Sequence, residues 1–171
     1  MTKASAGASQ RVLVMGIGNV LMKDEGVGCR VVDELIERYE FPKGVDVIDS
    51  GTMGLSILGV FRDYDFVLVV DAVQGTGLPA GMVVRLSPED IAPNTVRHSL
   101  HDTRFIDVLE AAELIGVRPE GECVGIQIED MTPQDLTIGL SESVEAAVDT
   151  AIDAVLTVLA ERGIEGVRAR A

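Results

Sequence analysis

Tryptophan is absent from the 171 residues, and tyrosine and phenylalanine together number only six. A core therefore has to be assembled from Val, Leu, Ile and Ala. Cysteine is nearly missing too. Cys29 and Cys123 stand alone rather than in a C-x-x-C pair, which argues against a zinc knuckle or a thioredoxin-type centre and favours a reducing compartment. Basic residues are scarce: 14 Lys and Arg face 28 Asp and Glu, leaving a formal charge of -14, so nucleic acid is excluded as a natural partner. No apolar run approaches a membrane span, and Met1 to Gln10 lacks the hydrophobic segment of a secretory signal. Those absences predict a cytoplasmic protein with no membrane contact.

What is present suits a globular chain, with 47% hydrophobic and 25% charged residues. The length fits one domain that can bury a core without disulfides. Val12 to Met15 predicts a buried strand ending in Gly16-Ile-Gly18. A helical period follows over 24–39, with Val27, Val31, Leu35 and Tyr39 four apart. Val45 to Ile48 predicts a second strand and 54–62 a short helix. Phe66 to Val70 predicts the most apolar strand, ended by Asp71. Met82 to Leu86 predicts a fourth strand, able to pair antiparallel with the third. Thr103 to Ile115 predicts a helix, Cys123 to Ile128 a fifth strand, and 141–162 a last helix. Alternation of this kind predicts an α/β three-layer sandwich: a twisted, mostly parallel five-stranded sheet with helices on both faces. The domain is expected over 11–163, with flexible tails at 1–10 and 164–171.

In open α/β sheets ligands bind beyond the carboxyl ends of the strands. Residues there include Asp24 and Glu25 after the first strand, Asp49 after the second and Asp71 after the third. His98, His101 and Asp102 follow the fourth, and Glu129 and Asp130 the fifth. Two carboxylates and an imidazole converging on that edge would suit a borderline divalent metal. Each residue also has a plainer reading. Asp24 and Glu25 can open a helix, Asp71 can cap a turn, Asp49 can accept from the Gly51 N–H, and either histidine can be solvated. Cys29 and Cys123 read as small buried hydrophobes. Gly26 and Gly28 fit the helix-opening reading poorly, because each costs roughly 1 kcal/mol relative to alanine. They imply close approach by a ligand or tight packing of the helix on the sheet. A dinucleotide site is disfavoured, because Leu21 stands where the glycine fingerprint needs Gly or Ala. No G-x-S-x-G elbow is present.

Four segments carry a resemblance. Gly16-Ile-Gly18-Asn19-Val-Leu21-Met-Lys-Asp24-Glu25-Gly26-Val-Gly28, Asp49-Ser-Gly51-Thr52-Met-Gly54, Val70-Asp71-Ala72-Val73 and Ser99-Leu100-His101-Asp102 are similar, in order and spacing, to the signatures of the [NiFe] hydrogenase maturation proteases. Gly125-Ile126-Gln127 resembles that family's last strand, and the likeness spans about 11–160. It implies an endopeptidase that removes a C-terminal extension from the hydrogenase large-subunit precursor after nickel insertion. It further implies a metal set of Glu25, Asp71 and His101, whose nickel comes with the substrate and whose site other divalent ions can enter. His98 does not match the ligand position.

On this reading the catalytic candidates are Asp49, Asp71 and Glu25, with Asp49 or Asp71 as general base, or the two as a water-activating pair. The enzyme would work as a monomer. One departure is Ser50, where the family commonly has Gly; a positive φ there would be costly. The competing reading is a non-catalytic α/β metal- or nucleotide-binding regulatory module.

Overall fold

The computed structural model describes residues 10–87, 90, 97–98, 105–117, 119–130 and 135–170. At its centre lie two parallel strands, β1 (Val12–Ile17) and β4 (Phe66–Gln74), buried along nearly their whole lengths. Continuous apolar runs of this kind are what a sheet covered on both faces requires. β3 (Val45–Gly51) lies parallel beside β1, and β7 (Glu120–Gln127) lies parallel beside β4. β5 (Val83–Leu86) closes the far edge, giving the order β3-β1-β4-β7-β5.

The expected five-stranded, mostly parallel sheet is therefore present. Its antiparallel pair is not the expected one: β5 pairs with β7 rather than with β4. The reason is that both edges of β4 are already taken. β7 follows one edge from Phe66 to Val73. β1 follows the other from Phe66 to Val70, and the short β6 (Arg97–His98) runs antiparallel to it at Val73 and Gln74.

Alternation along the strands builds two apolar layers. Leu13, Met15, Ile17, Val67 and Val69 pack with Ile57, with Phe61 of α2 (Leu58–Phe61) and with Ala112 of α3 (Phe105–Leu114). On the other face, Val12, Val14, Phe66, Leu68 and Val70 pack against α1 (Val27–Arg38) and α5 (Val148–Glu161). Val27, Val31, Val32 and Leu35 supply the buried stripe of α1. The helix expected from 24 starts later, because 23–26 form a 3-10 turn. The last helix is likewise divided, into α4 (Glu142–Glu145) and α5.

Residues 168–170 of the expected C-terminal tail return to the body. β8 (Arg168–Ala169) pairs antiparallel with β2 (Tyr39–Glu40), and Arg170 Nε donates to the Ile36 and Tyr39 carbonyls. Carbonyls at the end of α1 would otherwise need water or another cap. Among the described residues no helix is long and apolar enough to cross a membrane.

The first turn of α1 touches the sheet backbone directly. A β-carbon at Gly28 would overlap the carbonyl oxygens of both Ile17 and Val70. Backbone cannot yield as a flexible side chain can. Gly28→Ala is therefore expected to lower the unfolding free energy by about 2 kcal/mol or more, read by urea denaturation. A change below roughly 0.5 kcal/mol, the range of an ordinary surface substitution, would contradict the packing described.

Candidate active site

Glu25 reaches the carboxyl edge of the sheet through a turn fixed at several points. Gly18 leaves β1 with φ 148, and any β-carbon there would overlap the Glu25 carbonyl oxygen. Asn19 Oδ1 accepts from the Leu21 N–H at 3.0 Å, and Met22 N–H donates to the Asn19 carbonyl at 2.9 Å. The Glu25 N–H then donates to the Met22 carbonyl at 3.2 Å. A distant segment locks the turn from outside. Lys23 N–H donates to the Thr137 carbonyl at 2.7 Å, and Thr137 N–H to the Leu21 carbonyl at 2.8 Å. Asp24 accepts from the Ser141 N–H at 2.6 Å and from its hydroxyl at 2.8 Å. So Asp24 does not serve its own helix; it holds the residue that precedes α4. The turn packs against β4, and Glu25 is left buried, with Oε2 wholly shielded from solvent.

Asp71 is fully buried inside β4 rather than at its end, and its Oδ2 is wholly shielded. It sits where one edge of β4 changes partner, past the last β1 pairing at Val70 and before the β6 pairing at Val73. The strand order also reverses between β1 and β4, with β3 on one side and β7 on the other, and such a reversal is where an open α/β sheet forms a crevice at its carboxyl ends. Strand parity puts Asp71 on the same face as Val67 and Val69, the α2 and α3 side. Cys123, opposite Val69, shares that face; burial raises its thiol pKa well above the usual value, and the charge of Asp71 raises it further.

Asp49 lies elsewhere. It pairs in register with Gly16, on the face where Val12 and Val45 meet α1. Its side chain is exposed, and Oδ1 accepts from the Gly51 N–H at 2.8 Å, as the turn reading expected. Under it lies the buried Cys29 thiol, 3.5 Å from the Gly18 carbonyl oxygen. Burial pushes that thiol up strongly, and a hydrogen bond to Asp49 adds to the shift. β1 separates the strands of Asp49 and Asp71, an interval of roughly 10 Å at ordinary strand spacing. The two aspartates thus occupy opposite faces and do not form a pair. Ser50 carries no strain: the positive φ falls on Gly51, at 51°, and the Ser50 hydroxyl donates to the Gly16 carbonyl at 2.7 Å.

His101 and Asp102 lie outside the described residues, and of His98 only the backbone in β6 is described. Glu129 and Asp130 are exposed. Among the described residues no group of three His, Cys, Asp or Glu side chains could hold a metal. Glu25 and Asp71 contribute the two buried oxygen-donor groups of the expected set. Oxygen donors of this type, completed by one imidazole nitrogen, fit a borderline divalent ion.

Two supporting residues, Thr137 and Ser141, had no sequence signal beyond position, and the supporting role of Gln127, which lies in a segment that carried the resemblance, was not anticipated. Gln127 Oε1 accepts from the Thr76 N–H at 3.1 Å and hydroxyl at 2.5 Å, tying the loop after β4 to the end of β7. The glycines of the first turn meet the chain itself. Gly28 faces strand carbonyls, and a β-carbon at Gly26 would stand 2.8 Å from Val20 Cα, so neither offers open space to a pyrophosphate.

The family model described as "Hydrogenase maturation protease" matches residues 29–158. The chain is 35% identical over 159 residues to the Hydrogenase 2 maturation protease of Escherichia coli K12, covering 92% of this chain and 95% of that protein. It is 40% identical over 162 residues to the hydrogenase expression/formation protein HupM of Azotobacter chroococcum, covering 92% and 76%. The solved structure of the hydrogenase maturating endopeptidase HybD from E. coli superposes with a TM-score of 0.73 at 32% identity, covering 93% of this chain and 96% of that one.

The Asp24–Ser141 contact should be measurable by itself. Asp24→Ala strands two donors and is expected to cost about 1–3 kcal/mol of stability, read by thermal or urea unfolding, whereas Asp24→Asn keeps an acceptor and should cost less. Equal effects of the two variants would show that the paired acceptor geometry is not what matters.

Proposed function

Because the chain belongs to the hydrogenase maturation protease family, and is thereby an endopeptidase, we propose that it removes the C-terminal extension of a [NiFe] hydrogenase large-subunit precursor after nickel insertion. The nickel arrives as part of the substrate, and Glu25, Asp71 and His101 read it. The observation that carries this reading is the burial of Glu25 and Asp71 beside the change of partner along β4. Carboxylates held out of water at the carboxyl edge of the sheet are oxygen donors suited to a borderline divalent cation that a docking polypeptide brings with it.

Two carboxylates and one imidazole leave coordination positions for the ligands the precursor already supplies. That shortage of protein ligands makes the site a detector: a precursor without nickel gains no bonds here and is not positioned. Once the precursor docks, its metal can polarise the scissile carbonyl. A carboxylate has two oxygens, so one can engage the metal while the other accepts a proton from water. The water oxygen attacks the carbonyl carbon, the C–N bond breaks, and the carboxyl proton passes to the leaving amine. Asp71 is the assignment for this base. The position of Asp49, on the other face with its carboxylate holding the Gly51 N–H, supports a role in shaping the 49–53 turn instead. The nucleotide-binding alternative loses support because the first-turn glycines are closed by the chain itself.

Purified protein mixed with nickel-loaded and nickel-free precursor, followed by mass spectrometry, tests the proposal. Loss of a C-terminal peptide from the nickel-loaded form alone is expected; cleavage of neither by folded protein would overturn it. In the same assay Glu25→Gln and Asp71→Asn should lose roughly a hundredfold or more in kcat/KM. Asp49→Asn, which keeps an acceptor for Gly51, should stay within about tenfold of the parent enzyme, since it spares the base. A collapse of activity in Asp49→Asn with unchanged stability would move the base to Asp49.

A further inference from the structure

Beside the turn that carries Glu25, the surface is apolar in a way nothing above requires. Val20 and Leu21 are 50% and 46% exposed, and Leu136 and Ile138 are 74% and 80% exposed. They form one ledge because the two segments are joined: Thr137 pairs with Met22 in a parallel bridge, with its N–H on the Leu21 carbonyl and its carbonyl on the Lys23 N–H. Leu136 and Ile138 flank Thr137, two residues apart. Farther along, Ser141 is fixed by Asp24. The ledge is thus a surface with a hydrogen-bonded backbone, and it starts five residues before Glu25.

Its charge is as distinctive as its exposure. The chain carries 28 Asp and Glu residues, yet 19–23 and 136–140 contain none, and Lys23 is their single charge. Exposed Asp135 marks the border. An apolar shelf free of acidic side chains on an acidic protein suits an apolar polypeptide surface. A fixed shelf also loses little conformational freedom on binding. An endopeptidase must bring its site against a polypeptide, and this shelf is continuous with the turn that holds the site.

We propose that Val20, Leu21, Leu136 and Ile138 form the docking ledge for the hydrogenase large-subunit precursor, gripping an apolar stretch of it next to the nickel. This rests on the maturation-protease reading for the identity of the occupant. The ledge supplies affinity and register, while Glu25 and Asp71 supply metal contact and chemistry. Interface energy concentrates in a few buried apolar or aromatic anchors, so removal of two such residues should act on binding alone.

The test is the double variant Leu136→Ser/Ile138→Ser, compared with the parent protein and with Leu114→Ser. Leu114 is equally apolar and 89% exposed but lies at the end of α3. Affinity for immobilised nickel-loaded precursor, KM and kcat, thermal midpoint and sedimentation would be measured together. The ledge variant should bind the precursor roughly tenfold or more weaker, with KM raised in step, kcat within about twofold and the midpoint unchanged; Leu114→Ser should match the parent. Weaker binding by the variant, when the parent binds but does not cleave, would leave the ledge standing and remove the proteolytic reading. Equal binding by parent and variant would overturn the ledge, as would a parent that does not bind precursor. A parent dimer that the variant makes monomeric, with precursor affinity unchanged, would overturn it in favour of a second copy as occupant.

Discussion

The close approach of α1 to the sheet at Gly28 decides where the rest of the carboxyl edge can lie. With the helix backbone resting on the carbonyls of Ile17 and Val70, the preceding turn has no freedom to stand away from β1 and β4. Glu25 is carried down to the sheet, and the end of β1 is pinned at Val70, so that β4 runs on past it with Asp71 buried. A side chain at Gly28 would lift the helix and with it Glu25. Packing and the proposed chemistry are thus the same constraint in two parts of one turn.

The turn that carries Glu25 and the strand ends around it are held by backbone fixed at several points. Asp24 binds the start of α4, Thr137 binds both sides of Met22, Ser50 binds Gly16, and Gln127 holds the loop after β4. Carboxylates carried on backbone fixed in this manner would, on the proposed reading, receive a cation without much reorganisation. It also explains why a site with few protein donors is sufficient: in the proposed reaction the precursor contributes the remainder, and recognition of its nickel becomes a condition for cleavage.

Much of the fold was legible because apolar runs and their breaks carry it. The strands around Val14, Val47, Leu68 and Val124, the stripe of α1 and the two helical layers follow from periodicity alone. What sequence could not supply was edge competition: nothing in Val83 to Leu86 says that β4 has no edge to offer, so the partner of β5 was misassigned. Nor does periodicity reveal that Arg168 and Ala169 return to pair with β2. Near the candidate site, a search past the expected strand ends singles out Glu25 and Asp71, although Asp71 lies inside β4, and it ranks Asp49 beside them. Strand parity separates them, because Asp49 shares a face with Val45 and Asp71 with Val67, and parity requires the register. The two glycines of the first turn did announce close packing; only the structure shows that the sheet backbone, not a ligand, fills the space.

The most direct measurement is nickel X-ray absorption on the nickel-loaded precursor, alone and in complex with the protein, at a temperature where cleavage is slow. Binding is expected to add oxygen or nitrogen donors to the nickel shell, with fewer added in complexes of Glu25→Gln and Asp71→Asn. A nickel shell unchanged by complex formation, in a sample shown to be fully bound, would contradict the metal-reading role of the buried carboxylates.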